Sequence, residues 1–518
     1  MTLAMMKERS SSPLRADRFE NTVVHVIGIA LIIVGIGMFV SAMVGWVDGG
    51  ADRSSDVWAL VVSGAVGVVV GVLLWWLSAV PVRQSPVVAF ASVAWSWLAV
   101  SLLGALPFLF SGTIDWAHAD NAIFESISGF TCTGSTILAD IEGVPRGVLF
   151  FRSMSQWFGG MGLIVLAVAI LPALKVGGLE LIAAEAPGPT PDRLTPQVRE
   201  TAKRLWILYG AVTVVVTALL MAFAGASPYD AVAHAFATAS TGGFSPYAAS
   251  VGHFDSVAFE VIIAIGMMYC GASFALHWQA VRGDWGVYAR VSEFRLYVGM
   301  FVVLVALIMW VNASESFGLA TNLRHTAFNV AAILSSTGFG TADFTMWGPA
   351  AQAALLLVFM TAGMSGSTSG GMKVLRLQII AKYAAREVVR ARHPRAIIPL
   401  RLGSSVVPDD IVSRVIGFVL LYVTFSLVGG LLLAALGTDA VTAFSAAFSA
   451  TGNIGPALGE AGPASNFLVI PRAGRPILMW LMLFGRLEVF PTLLMFAAIA
   501  RNMSKRRVAS FASVKRRS

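Results

Sequence analysis

The chain has 518 residues, 57% of them hydrophobic and only 12% charged, where soluble proteins carry about 25% charged residues. With a mean hydropathy of +0.77, this excludes a water-soluble domain and makes the bilayer the solvent. A net charge of +8 could suggest nucleic acid, but the basic residues gather in blocks between apolar runs, which excludes that partner.

In chain order, an N-terminal arm (1–21) carries Lys7, Arg9, Arg15 and Arg18 and lacks a small-residue cleavage pattern, so it reads as the flank of a retained signal anchor. Apolar runs at 22–46 and 57–80 form a leading two-helix unit, 22–86. Eight more runs follow, at 87–111, 148–172, 204–225, 254–281, 296–312, 350–373, 412–436 and 475–500. They pair into units 87–203, 204–294, 295–411 and 412–500, followed by a basic tail, 501–518. If the arm, the tail, Arg83 and the segments 173–204, 282–295 and 373–414 face one side, 29 of the 36 Lys and Arg lie there. Six (Arg53, Arg146, Arg152, Arg324, Arg472 and Arg475) fall on the other side, and Arg486 lies inside an apolar run. The positive-inside rule then places both termini in the cytoplasm, as ten spans require.

Within each of the four pairs, the outer segment opens with an amphipathic stretch too short to cross a bilayer and breaks at glycine. These stretches run from Asp120 to Gly134, Asp230 to Gly243, Asn322 to Gly338 and Asp439 to Gly455. Taking those glycines as equivalent, the spacings are 109, 95 and 117 residues, so a unit of span, half-helix, glycine turn and span occurs four times. A plain match on Thr-Gly would choose Gly242 and Gly452 instead, whereas Phe after glycine favours Gly243 beside Gly338. The predicted fold is an all-α polytopic membrane protein, with four pseudo-symmetric repeats around one pore preceded by two extra helices.

Half-helices entering from the outer face point their C-terminal ends, each carrying roughly half a negative charge, toward the membrane centre. Unpaired carbonyls survive there only beside water or an ion, and carbonyls in the following turns can replace the hydration shell of a cation. Glycine permits positive φ and leaves the lumen clear. The candidate filter is Cys132, Thr133 and Gly134; Thr241, Gly242 and Gly243; Ser336, Thr337 and Gly338; and Asn453, Ile454 and Gly455. No other metal site is expected: seven scattered His lack zinc spacing, and Cys132 and Cys270 make no disulfide framework. Paired membrane carboxylates and a nucleophile with its base are lacking as well, so neither an enzyme nor a cofactor is expected. Glu125 reads as a satisfied structural carboxylate rather than an ion ligand, and the abundant Trp and Phe as lipid-facing surface.

The run Gly363, Met364, Ser365, Gly366, Ser367, Thr368, Ser369, Gly370, Gly371, Met372 and Lys373 interrupts the second helix of the third repeat. A phosphate-binding loop fails on spacing, because Met372 separates Gly371 from Lys373 and Val374 stands where Ser or Thr is needed. A broken membrane helix points instead to a mobile element lining a conduit. Arg486, with Glu488 nearby, needs water or a carbonyl-rich loop as partner. The basic run Lys382 to Arg401 reads as a solvated cytoplasmic face near lipid phosphates, with contact to a regulator as the alternative.

These segments are specific enough to resemble a family. Gln156-Trp157-Phe158-Gly159-Gly160-Met161-Gly162 with Leu163 to Pro172, Phe124 to Gly134, Ser336 to Phe344 and Gly366 to Lys373 resemble the TrkH family, the membrane subunits of bacterial Trk potassium uptake systems. The likeness covers essentially the whole chain, and the leading pair of helices is closer to TrkH than to the shorter KtrB relatives. It implies potassium uptake across the bacterial cytoplasmic membrane, with potassium bound at the filter residues, and it supports Gly243 and Gly455 as filter glycines. It also implies a homodimer and a cytosolic nucleotide-binding regulator, TrkA. The Gly363–Gly371 loop, Lys373 and Arg486 are then an intramembrane gate beneath the filter. Cys132 departs from the family, where Thr is expected. Proton- or sodium-coupled symport is the competing expectation, and fourfold rather than inverted twofold repetition favours the pore.

Overall fold

The computed structural model describes residues 19–48, 53–79, 86–169, 198–312, 318–403 and 405–487. Expectations for the arm before residue 19, Arg83, most of the 173–204 segment, Glu488, the last run beyond residue 487 and the basic tail lie outside the described residues.

Helices α1 (Thr22–Asp48) and α2 (Arg53–Leu77) pack along their length. A Cβ on Gly28 would lie 2.7 Å from Gly71 O, and one on Gly35 2.8 Å from Gly64 O. Small residues thus let the backbones meet where lipid supplies no hydrophobic drive. Repeat one comprises α3 (Pro86–Phe110), half-helix α4 (Ala119–Phe130) and α5 (Arg146–Ala169). Repeat two comprises α6 (Val198–Ala224), half-helix α7 (Pro228–Ala239), α8 (Val257–Cys270) and α9 (Phe274–Val281). After a single turn, α10 (Val287–Arg290), repeat three comprises α11 (Ser292–Val311), half-helix α12 (Leu319–Leu334), α13 (Pro349–Phe359) and α14 (Val374–Arg392). Repeat four comprises α15 (Asp409–Ala435), half-helix α16 (Ala440–Gly452) and α17 (Arg475–Leu487). Two-residue strands pair Phe19–Glu20 with Ser78–Ala79 in parallel and Arg401–Leu402 with Ser405–Val406 antiparallel.

The half-helices begin at side-chain caps in two repeats. Ser227 Oγ accepts from Asp230 N at 3.1 Å, and Asp439 Oδ1 accepts from Val441 N and Thr442 N at 2.9 and 3.1 Å. Small side chains let these helices converge at the core. Ala231, Ala233, Ala235 and Ala237 of α7 and Ala443, Ala446, Ala447 and Ala450 of α16 are fully buried.

Several sequence expectations are corrected. Among the described residues, α1, α2, α3, α6, α11 and α15 are long and apolar enough to cross a membrane, and the bent pair α8 and α9 makes a seventh, while the expected runs at 148–172 and 475–500 continue beyond the described residues. The run at 254–281 is not one straight span, because α8 and α9 meet at 101° across Gly271, Ala272 and Ser273. The run at 350–373 holds only an 11-residue helix before the chain leaves helical geometry. Arg152 and Arg475, counted with the outer charges, are buried and engaged by side chains rather than solvated. The aromatic residues divide. Trp76 and Trp310 are exposed as a lipid-facing surface requires, but Phe124, Phe244, Phe328 and Phe339 are buried in the half-helices and turns of the first three repeats.

Candidate pore site

Each half-helix ends in the same motif. Cys132 N donates to Gly129 O at 2.9 Å and Thr133 N to Ser128 O at 2.9 Å. The matching bonds run from Thr241 to Thr238 and Gly242 to Ala237, from Ser336 to Ile333 and Thr337 to Ala332, and from Asn453 to Ala450 and Ile454 to Ser449. This Schellman pattern needs a left-handed residue after the helix. Cys132, Thr241, Ser336 and Asn453 supply it at φ 53, 53, 55 and 51°. None is glycine, and a β-branched Thr there is an outlier, the kind of strain that collects at functional sites. The expectation of free C-terminal carbonyls therefore needs correcting. The chain reversal satisfies many of them, and what each half-helix contributes is its aligned peptide dipoles.

Two residues further on, Gly134, Gly243, Gly338 and Gly455 take φ of 83, 78, 82 and 111°, so one dihedral pattern occurs four times. These glycines close a ring. A Cβ on Gly134 would strike Gly242 O, one on Gly243 would strike Thr337 O, one on Gly338 would strike Ile454 O, and one on Gly455 would lie 2.8 Å from Thr133 O. Each repeat thus abuts the carbonyl of the next, and the fourth returns to the first. The same four glycines line a single cavity of about 110 Å³, in which Arg152 is the one charged lining residue among the described residues.

Braces hold the ring from behind, and each repeat uses different chemistry. The residue nine before the glycine is Glu125, His234, Asn329 or Ala446. Glu125, 1% exposed, accepts from Ile137 N at 2.8 Å, Thr136 Oγ1 at 3.0 Å and Arg152 Nε at 2.7 Å. His234 Nε2 meets Ser245 Oγ at 3.1 Å, and Asn329 Nδ2 lies 3.4 Å from Thr341 Oγ1. In the fourth repeat, Ser445 Oγ accepts from Leu458 N at 2.9 Å. Arg152 also donates to Ser245 O at 2.9 Å and lies 3.5 Å above the Phe244 ring, tying repeat one to repeat two.

Gln156, part of a recognisable motif but given no role from sequence, bridges the same pair. Its Nε2 donates to Gly242 O at 2.6 Å, and its Oε1 accepts from Phe244 N at 3.0 Å. A buried amide inside an apolar run was the available signal. His234 and Asn329 stand at the same offset as Glu125, but three different residue types at that position concealed the shared role.

The glycine-rich segment sits against this ring. Its neck is closed by Ala362 N to Met372 O at 2.8 Å and Val374 N to Gly363 O at 3.2 Å. Its middle reaches the half-helix ends: Thr368 Oγ1 donates to Ala239 O at 3.0 Å, Ser369 Oγ to Ser335 O at 2.7 Å, and Gly370 N to Ser336 Oγ at 3.0 Å. Arg486, 1% exposed, donates to Thr368 O at 2.8 Å and to Cys132 Sγ at 3.0 Å. Lys373 Nζ bonds Ser369 O and lies 3.4 Å from Ser367 Oγ. Two buried cations, the loop and a turn residue of the ring thus meet in one place. Ser365 and Gly366 lie on the limb away from Arg486; Gly366 O accepts from Phe274 N at 3.0 Å.

The TrkH family model, described as a cation transport protein, matches residues 59–506. The Trk system potassium uptake protein TrkH of Escherichia coli (strain K12) is 40% identical over 441 residues, 83% of this chain and 89% of that protein. The protein of the same description from Halomonas elongata is 40% identical over 414 residues, 79% of this chain and 84% of its own length. The crystal structure of the potassium transporter TrkH from Vibrio parahaemolyticus superposes with a TM-score of 0.81 at 32% identity, covering 91% of this chain and 97% of that one. With the family model spanning most of the residues and relatives this similar, the chain belongs to the TrkH family of cation transport proteins.

Proposed function

We propose that this protein takes up potassium through a gated, potassium-selective pore formed by the four repeats of a single chain in the bacterial cytoplasmic membrane, with both termini inside. The filter is the ring Thr133, Gly242, Thr337 and Ile454 with its neighbouring turn residues, and potassium is the cargo bound there. The observation that carries this reading is the closed ring, in which each turn glycine abuts the next repeat's carbonyl. Carbonyls from four directions can replace a dehydrating cation's water, and the membrane potential drives it inward by about 2.3 kcal/mol per charge per 100 mV.

The Gly363–Gly371 loop, Lys373 and Arg486 form the gate. A guanidinium held between Thr368 O and Cys132 Sγ puts positive charge against the ring, which opposes cation passage. A cytosolic nucleotide-binding subunit of the TrkA kind shifts the loop's open fraction. Homodimerisation serves that regulation, because four repeats already complete one pore.

The test is rubidium-tracer flux into proteoliposomes carrying the partner-free Arg486→Ala protein. Flux should rise while the preference for potassium and rubidium over sodium and lithium persists. Unchanged or lower flux from folded, dimeric protein places the gate elsewhere. Uptake that tracks a proton gradient at fixed voltage would replace conduction by coupled transport.

A further inference from the structure

We propose that Glu293 is the positioning residue that holds the gate loop shut, by accepting with one carboxylate oxygen from both limbs of the loop's neck. This inference rests on the reading of Gly363–Gly371 as a gate.

Glu293 is the second residue of α11, in a segment whose surface charges suggest a solvated cytoplasmic turn, yet it is 1% exposed. Its Oε1 receives Ser365 N at 2.7 Å and Leu375 N at 3.2 Å. Ser365 stands at the entry of the loop, and Leu375 is the second residue of α14, the helix that leaves it. A carboxylate beside a helix N-terminus is ordinarily a cap, satisfying a donor that has no partner within the helix. Here the same oxygen also takes a donor from the opposite limb, so helix cap and loop share one acceptor. The loop's middle is held separately, by hydroxyl and amide contacts and by Arg486 and Lys373 on the carbonyls of Thr368 and Ser369.

The break between α8 and α9 provides a second seat. Met364 N donates to Gly271 O at 2.8 Å, and Phe274 N donates to Gly366 O at 3.0 Å. The bend frees these two backbone groups from helical pairing and offers them to the loop's entry limb. That limb is therefore held on one side by the bent helix of repeat two and on the other by α11 of repeat three. Moving α14 would draw Leu375 N from the shared oxygen and Val374 N from Gly363 O, parting the two limbs of the neck, which links the basic helix Val374–Arg392 to the gate.

The test compares partner-free rubidium flux from E293A, E293Q and Ser365→Pro with the parent and with a protein lacking residues 366–370 of the loop. E293A removes the acceptor and should raise flux about tenfold, with the order of potassium, rubidium, sodium and lithium unchanged. E293Q keeps an acceptor oxygen and should stay within about twofold of the parent. Ser365→Pro removes the donor while leaving the carboxylate in place, so it should open the gate even if E293A fails to fold. A residue that merely stabilises the fold would lower flux or folded yield in every variant. If the shortened loop raises flux while folded E293A or Ser365→Pro does not, the role of Glu293 is refuted and the gate stands. If E293Q is as open as E293A, the shared-acceptor assignment is refuted. If none of the variants raises flux, the gate reading falls as well.

Discussion

The ring of turn glycines predicts a ranked response to adding one methyl group. Alanine at any of the four positions carries a positive-φ cost of about 1–2 kcal/mol, so that term does not rank them. The neighbours do. At Gly455 the new Cβ lies 2.8 Å from Thr133 O, so ordinary contact at about 3.5 Å returns if that carbonyl withdraws by about 0.7 Å. At Gly243 and Gly338 the Cβ overlaps Thr337 O and Ile454 O, and Gly338 also meets Pro456 Cδ at 2.9 Å. Those carbonyls must withdraw by well over an ångström, removing one of the oxygens that would coordinate the ion. Losing about 1.4 kcal/mol of discrimination is a tenfold loss of selectivity, and that is the expected scale for Gly243→Ala and Gly338→Ala. Gly134→Ala, whose Cβ strikes Gly242 O, belongs with them, and Gly455→Ala should be mildest. Gly134→Ser should likewise relax the preference for potassium. The assay is rubidium-tracer uptake into proteoliposomes with potassium, sodium and lithium as competitors, using variants that elute like the parent. The reasoning is refuted if Gly455→Ala loses the most selectivity, or if folded Gly243→Ala and Gly338→Ala keep the parent's ion preference.

Two further outcomes follow from the braces. Gln156→Leu leaves Phe244 N without its acceptor and frees Gly242 O, so it should cost about 1–3 kcal/mol and relax selectivity; a lower melting temperature with intact ion preference would confine Gln156 to a structural role. Arg152→Met strands the Glu125 carboxylate in the interior, and removing one partner of a buried pair costs about 3–5 kcal/mol; thermal unfolding should register this, while a double change of Glu125→Gln with Arg152→Met should recover part of the loss.

The sequence alone determined the membrane as solvent, the four repeats and the four turns. Composition and apolar run length are local properties that need no partner to be read, and a glycine required at positive φ recurs visibly at spacings of 109, 95 and 117 residues. The loop from Gly363 to Lys373 was legible for the same reason, since Ser, Thr and Gly cannot sustain a helix through an apolar run. What only the tertiary structure decided depends on contacts between residues far apart in the chain. Nothing local distinguishes Glu293 in a basic turn from a solvated charge; its burial comes from the loop folding back over α11 more than 70 residues later. Arg152 falls with the outer charges in the sequence, and only the fold shows that Glu125 and Ser245 bury and engage it. The bend at Gly271 was hidden inside an uninterrupted apolar run, because hydropathy does not register the loss of helical hydrogen bonds when another segment supplies the replacements. The ring itself, one repeat's glycine against the next repeat's carbonyl, exists only when all four turns converge, since each contact needs a backbone group that no single repeat contains.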